Sequence, residues 1–345
     1  MKAVRWHGRG DLRVDTVPVP SPADDEILLR VGWAGICGTD LEELQHGPLT
    51  IPIEPHVSSG RSAPLILGHE VVGQVALAAE NGEGPLADAW VVPDVVQGCG
   101  KCWWCESHDE GLCPSLNVLG QTDDGALAEF MVAKASRCLP VPTGVDARTA
   151  ALAEPLAVAV RAVDKLELRD GSTVAVLGGG TIGQLVAQVL AASNARVLLV
   201  DPVSSRRDLA ANLSGAVPLA PDEFESQVLR LPPPGLDAVV ECGGRDGLID
   251  QALRAVRPGG TVVAVGLRTG SEPIDVPGLV LGERRLVGSA AHMWDTDVAR
   301  ALALLDELDI EPLITHEVPL ADSADAFSLL SSGDPGVLKV LISAS

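Results

Sequence analysis

The chain has 345 residues, enough for about two domains and a sizeable buried core. Hydrophobic residues make up 46% and charged residues 21% of it, ordinary globular usage that excludes a disordered or fibrous chain. Lys and Arg number 25 against 47 Asp and Glu, a formal charge of -22, and so acidic a surface repels phosphate backbones and anionic lipid. Nucleic acid and membrane surfaces are therefore not expected as partners. Aromatic residues are 3% of the chain with no Tyr, so aliphatic side chains must build the core and no stacking platform for bases is visible.

The opening residues, Met1-Lys2-Ala3-Val4-Arg5-Trp6, run into an alternating pattern without the apolar stretch and cleavage site of a signal peptide, and a cytoplasmic location is expected. Short β-type runs at 3–6, 12–17, 26–33, 70–76, 90–93 and 128–132, separated by turns, predict a strand-rich, barrel-like first domain. From about residue 149 strand and helix alternate, at 173–177, 182–192, 196–200, 206–213, 238–241, 248–256 and 261–265, which predicts βαβ units and a parallel sheet. The uncharged stretch 171–195 has the length of a membrane span, but Gly178-Gly179-Gly180 would break one, and strand, glycine turn and helix account for it better. Leu231-Pro232-Pro233-Pro234-Gly235 reads as a rigid surface turn. After Gly288 come a helix over 297–308 and a β run at 336–342, placed to rejoin the first domain. The expected division is 1–148 with 289–345, and 149–288.

Gly178-x-Gly180-x-x-Gly183 stands directly after a strand and opens a helix, the context in which this spacing binds a dinucleotide. The first glycine makes the tight turn, the second admits a pyrophosphate to the backbone at the positive helix end, and the third lets helix and strand pack. Thr181 and Ile182 lie inside the same turn. The next strand ends in Asp201, a carboxylate placed to accept both ribose hydroxyls of NAD and to repel the 2′-phosphate of NADP, with Arg206 and Arg207 a turn later as a partial offset. Gly266 and Leu267, after the strand ending at 265, complete the expected cofactor contacts.

Of seven cysteines, Cys99, Cys102, Cys105 and Cys113 form one run, and in a reducing compartment such a run reads as a metal site. Four thiolates close a tetrahedron around zinc, leaving no open position, so the site is structural. An iron–sulfur cluster is the rival, because Pro114 follows Cys113 as in ferredoxin runs, although the last gap is too long and ligands for a second cluster are lacking. Cys37, in Gly35-Ile36-Cys37-Gly38-Thr39-Asp40, and His69-Glu70 offer thiolate, imidazole and carboxylate from neighbouring segments. Glu154 interrupts the apolar stretch 147–163, where an unpaired carboxylate is costly and a metal would remove that cost.

Taken together, these motifs make the chain resemble the zinc-dependent medium-chain dehydrogenase/reductase family over essentially its whole length. Glu154 is similar to the polyol, sorbitol and butanediol branch, and the segments Gly47-Pro48-Leu49-Thr50-Ile51-Pro52 and 56–69 to 2,3-butanediol dehydrogenases. The resemblance implies a GroES-like β-rich catalytic domain with a Rossmann domain, two zinc ions and NAD, and a homodimer or homotetramer. It implies that Cys37, His69 and either Glu70 or Glu154 hold a catalytic zinc, that Asp40 orients His69, and that Thr39 takes the alcohol proton. Glu42 occupies the position of the family's relay histidine, with His46 one turn on, so Glu42, the cofactor ribose with water, or the substrate's own groups carry the proton. The expected reaction is oxidation of a secondary alcohol in a diol, polyol, cyclitol or sugar derivative. A threonine- or glucose-type zinc dehydrogenase, and a zinc- and nucleotide-binding protein without turnover, are the alternatives.

Overall fold

The computed structural model describes residues 1–232, 235–268 and 270–344. Pro233 and Pro234 of the expected proline turn lie outside the described residues. The chain divides into two compact units, Met1–Glu154 with Ala291–Glu307 and Glu311–Ser345, and Pro155–Ala290 with Leu308–Ile310. Compared with the sequence reading, Glu154 falls on the side of the first unit and residues 308–310 on the side of the second.

The first unit is built on a seven-stranded sheet whose middle strand, Glu26–Gly35, buries Ile27, Leu28, Leu29 and Val31. Antiparallel to it lie Glu70–Leu77, Phe130–Lys134 and the chain's last strand, Lys339–Ser343. The strand expected at 128–132 begins two residues later, because Ala128 is taken by a bridge to Ala3 in the neighbouring three-stranded sheet. Between the sheets the core is aliphatic, with Trp6 and Phe327 its largest members. The expected long helix at 297–308 is replaced by a wide turn, Trp294–Val298, and a short helix, Ala299–Leu304. There the Asp297 carboxylate accepts the Met293 N–H at 2.7 Å while the amides of Asp297 and Val298 both reach the Met293 carbonyl.

The second unit is a six-stranded parallel sheet. Numbered in chain order, its strands are Thr173–Leu177, Arg196–Val200, Val217–Leu219, Leu236–Glu241, Val256–Ala264 and Arg285–Gly288, and their order across the sheet is 3-2-1-4-5-6. This is the doubly wound order whose switch point, between strands 1 and 4, opens a crevice at the carboxyl ends. The first two strands are buried along almost their whole length, as a sheet covered on both faces requires. No helix among the described residues is long and apolar enough to cross a membrane. The uncharged stretch 171–195 resolves into strand 1, the glycine turn and the helix Thr181–Ala192.

Each glycine of the turn answers a different demand. Gly178 has φ +103°, a Cβ on Gly183 would collide with the Gly178 carbonyl, and a Cβ on Gly180 would meet no protein atom within 4 Å. Gly183→Ala should therefore lower the urea midpoint, by about 1–3 kcal/mol of stability. An unchanged midpoint would show that helix and strand can separate there without cost.

Candidate active site

The strand Glu26–Gly35 runs into Cys37, which starts the helix Gly38–His46. Asp40 closes that start, its Oδ2 accepting the Cys37 N–H at 2.9 Å. Its other oxygen lies 3.7 Å from His69 Nδ1, so Asp40 acts on His69 through charge and not through a hydrogen bond. Thr39 Oγ1 is 3.5 Å from His69 Nε2 and accepts from Gln121 Nε2 at 3.4 Å. Gln121 gave no signal in the sequence; its loop is carried there because Gly120 packs directly on the backbone of Gly68. Glu42 is half-buried and His46 exposed on the same helix, and among the described residues neither bonds to this group.

His69 is buried in this cluster and Glu154 half-buried. Burial opposes charge on His69, yet the negative groups around it, Asp40, Cys37 and Glu154, raise its pKa well above the ordinary histidine value. Burial pushes Glu154 up to about 7. From the segment after strand 6, His292 brings Nε2 to 3.5 Å from Glu154 Oε1. A thiol, an imidazole with buried Nδ1 unbonded, and a half-buried carboxylate are donors of the kind zinc takes, and their crowding of negative charge is what a cation relieves.

Glu70 is engaged by a lysine. Both its oxygens lie 2.6 Å from Lys339 Nζ, whose remaining donor goes to the Ile36 carbonyl at 3.0 Å, so the carboxylate is held by an ammonium behind the site. Lys339 is buried and opens the last strand; nothing in the sequence near it marked it as functional. Glu43, beside the singled-out Glu42, is also buried, and its carboxylate accepts the amides of Leu49, Thr50 and Ile51 and the Thr50 hydroxyl.

Among the described residues, Cys99, Cys102, Cys105 and Cys113 are the one group of His, Cys, Asp and Glu whose ligand atoms all fall within 4.8 Å of one another. Cys37, His69 and Glu154 are gathered more loosely. The Cys102 Sγ lies 3.6 Å from Cys105 Sγ and 3.8 Å from Cys113 Sγ, the edge of a tetrahedron with metal–sulfur bonds of about 2.3 Å. A cluster of several iron atoms would hold the thiolates further apart, which removes the iron–sulfur alternative. The amides of Cys99 and Ser115 both point at Cys113 Sγ from 3.3 Å, and backbone donation from Lys101 lowers the pKa of Cys99 to about 7.

In the second unit Asp201 is buried, its Oδ2 accepting the Gly179 N–H at 2.7 Å and its Oδ1 the Val203 N–H at 2.8 Å. It shapes the turn as well as facing it, which the ribose role alone did not anticipate. Arg207 donates to the Asp201 and Pro202 carbonyls, whereas Arg206 packs its Cβ beside Gly179. Gly180 caps the helix Thr181–Ala192 with open space on its α-carbon, so the cradle suits a phosphate group that no side chain fills.

The chain matches the alcohol dehydrogenase GroES-like domain over residues 23–143 and the zinc-binding dehydrogenase domain over residues 181–307. It is 32% identical to 2-dehydro-3-deoxy-L-galactonate 5-dehydrogenase of Pseudoalteromonas atlantica, over 99% of this chain and 98% of that one. The chain belongs to the zinc-dependent medium-chain dehydrogenases. Its fold superposes on the 2R,3R-butanediol dehydrogenase of Bacillus subtilis with a TM-score of 0.92 at 27% identity, covering 100% of this chain and 99% of the other. A protein of Sinorhizobium meliloti 1021 solved bound to NADP gives 0.88 at 30% identity, covering 99% and 98%. The expected GroES-like and Rossmann fold and the resemblance to the polyol and butanediol branch are both borne out.

Two measurements check the metal and charge readings. Cys113→Ser should bring the zinc count down by one ion per chain and lower the melting temperature, and an unchanged count would assign that zinc elsewhere. Lys339→Met leaves the Glu70 carboxylate buried without its ammonium and should cost about 3–5 kcal/mol in denaturant titration. A stability equal to that of the unmodified protein would mean Glu70 has another cation within reach.

Proposed function

We propose that this enzyme oxidises a secondary alcohol flanked by a second polar group, in a diol, polyol, cyclitol or sugar derivative, to the ketone with NAD, and runs the reverse. The observation that supports it most is the buried His69 with half-buried Cys37 and Glu154 around it and the Thr39 hydroxyl beside it. Cys37, His69 and Glu154 would hold the catalytic zinc, with Glu70 kept out of the ligand set by Lys339. When bound, the zinc supplies a Lewis acid at the substrate hydroxyl and the nicotinamide a hydride acceptor. Thr39 would accept the substrate proton at Oγ1 as its own hydroxyl proton moves on, and Gln121 donates to the same oxygen. From there the proton would leave by Glu42, half-buried one turn along the helix, by the cofactor ribose with water, or by the substrate's own groups. The four-cysteine lobe would hold the second zinc as a structural ion.

The cofactor would rest on Gly178, Gly180, Thr181, Ile182 and Gly183, with Asp201, Arg206, Gly266 and Leu267 around it. Asp201 favours NAD, since a 2′-phosphate beside a buried carboxylate is repelled. With Arg207 engaged by backbone carbonyls, Arg206 is the cation that would oppose this preference. The domain limits proposed are 1–148 with 289–345, and 149–288. The partner is a small-molecule alcohol or ketone, with no nucleic acid or membrane, and the enzyme is a cytoplasmic homodimer or homotetramer.

A panel of diols, polyols, sugar acids and threonine, assayed with NAD and NADP, tests the substrate reading, and preferential turnover of threonine would replace it. Catalytic efficiency should favour NAD, and Asp201→Gly should erode that preference by about tenfold or more, a change of about 1.4 kcal/mol. Equal efficiency in the unmodified enzyme would mean that Arg206 overrides Asp201. Glu154→Ala should cut turnover by a hundredfold or more, on the order of a lost metal ligand or its near neighbour, while leaving NADH affinity unchanged. Full turnover in a folded Glu154→Ala protein would transfer the acidic ligand role to Glu70.

A further inference from the structure

Glu241 is the last residue of strand 4 and is buried at the carboxyl edge of the parallel sheet. Its Oε1 accepts two amides of the loop that follows, Gly243 N–H at 2.6 Å and Gly244 N–H at 2.8 Å. Its backbone carbonyl accepts two amides of the loop after strand 5, from Val265 at 2.9 Å and Gly266 at 3.0 Å. Its second carboxylate oxygen lies against Gly266, where an added Cβ would sit 2.9 Å away. The same two loops touch each other, since a Cβ on Gly244 would strike the Leu267 carbonyl and one on Gly266 the Gly244 amide. A Cβ on Gly178 would come within 2.9 Å of the Gly243 amide, so the phosphate-binding turn of strand 1 abuts this pair as well. One residue thus fastens the ends of strands 4 and 5 beside the glycine turn of strand 1, at the switch point of the sheet.

A charged side chain is costly to bury, and a neutral residue would leave the strand end intact, since its ladder bonds come from the backbone. What the carboxylate adds is a fixed course for residues 242–244 and, through the backbone contacts, for 265–267. Dinucleotides lie across such a crevice, with the adenosine side over strand 2 and the remainder past the turn toward strand 4. Asp201 governs the first part, and the second meets the loops that carry Gly243, Gly244, Gly266 and Leu267.

We propose that Glu241 is a positioning residue for the cofactor, holding the two loops in the shape that receives the half of the dinucleotide beyond the pyrophosphate. This rests on the reading that the second unit binds NAD, and binding of NADH by the unmodified enzyme, followed by its fluorescence, tests that reading separately. Failure of the unmodified enzyme to bind NADH would overturn both. If it binds, Glu241→Ala should weaken NADH by about tenfold, the effect of losing hydrogen bonds to a charged group, while AMP, which occupies the adenosine side alone, keeps its affinity within about twofold. Glu241→Gln retains an acceptor at Oε1 and should restore NADH binding to near the unmodified value. Glu241→Asp keeps the charge but withdraws the acceptor by one carbon, and should weaken NADH as Ala does, which serves if the Ala variant does not fold. Equal loss of AMP and NADH would make Glu241 a merely structural residue, and unaltered NADH affinity in Ala or Asp, or no recovery in Gln, would overturn the proposal.

Discussion

The buried ammonium of Lys339 is what allows the acidic centre of the first unit to exist. Asp40, Cys37 and Glu154 surround His69 with Glu70 close to the carboxylates, and carboxylates so gathered repel one another. Lys339 meets both oxygens of Glu70 and the carbonyl of Ile36, the residue next to Cys37. It comes from the last strand, which reaches the centre by pairing with the strand that delivers Ile36 and Cys37. Closing the sheet and balancing the charge of the site are therefore one event, joining residues 269 positions apart in the chain.

The same economy recurs in the second unit with the sign reversed. There two carboxylates at the ends of strands, Asp201 and Glu241, accept backbone amides in place of a cation, Gly179 and Val203 in one case and Gly243 and Gly244 in the other. Glycine backbones have little shape of their own, because so many conformations are open to them. An inward carboxylate supplies the missing restraint through short, charge-assisted bonds.

What could be seen in the sequence divides along the same physical line. Alternation and the helical period announced the two kinds of unit, and Gly178, Gly180, Gly183 and the four cysteines declared themselves by spacing, because local geometry alone sets their roles. Residues whose role depends on what the far chain brings did not. Lys339 stands in an apolar strand where a lysine reads as an outward side chain, and Glu42 and Glu43 are indistinguishable until the helix turns one of them inward. His292 and Gln121 sit in segments without periodicity, and only the folded chain sets them beside Glu154 and Thr39. The sequence could not weigh Glu70 against Glu154 for the same reason, since Lys339, which engages Glu70, lies at the other end of the chain.

Glu43 has a consequence for how the enzyme can change. Its carboxylate gathers three successive amides and a hydroxyl of residues 49–51, so the course of that segment is dictated from beneath, by a group on the helix, and not by the side chains the segment displays. The side chains of Leu49 and Ile53 are exposed and take no part in the anchoring. The segment is thus a fixed rail on which outward residues are interchangeable, and drift at those positions can explore new chemical partners without first having to rebuild the backbone that presents them.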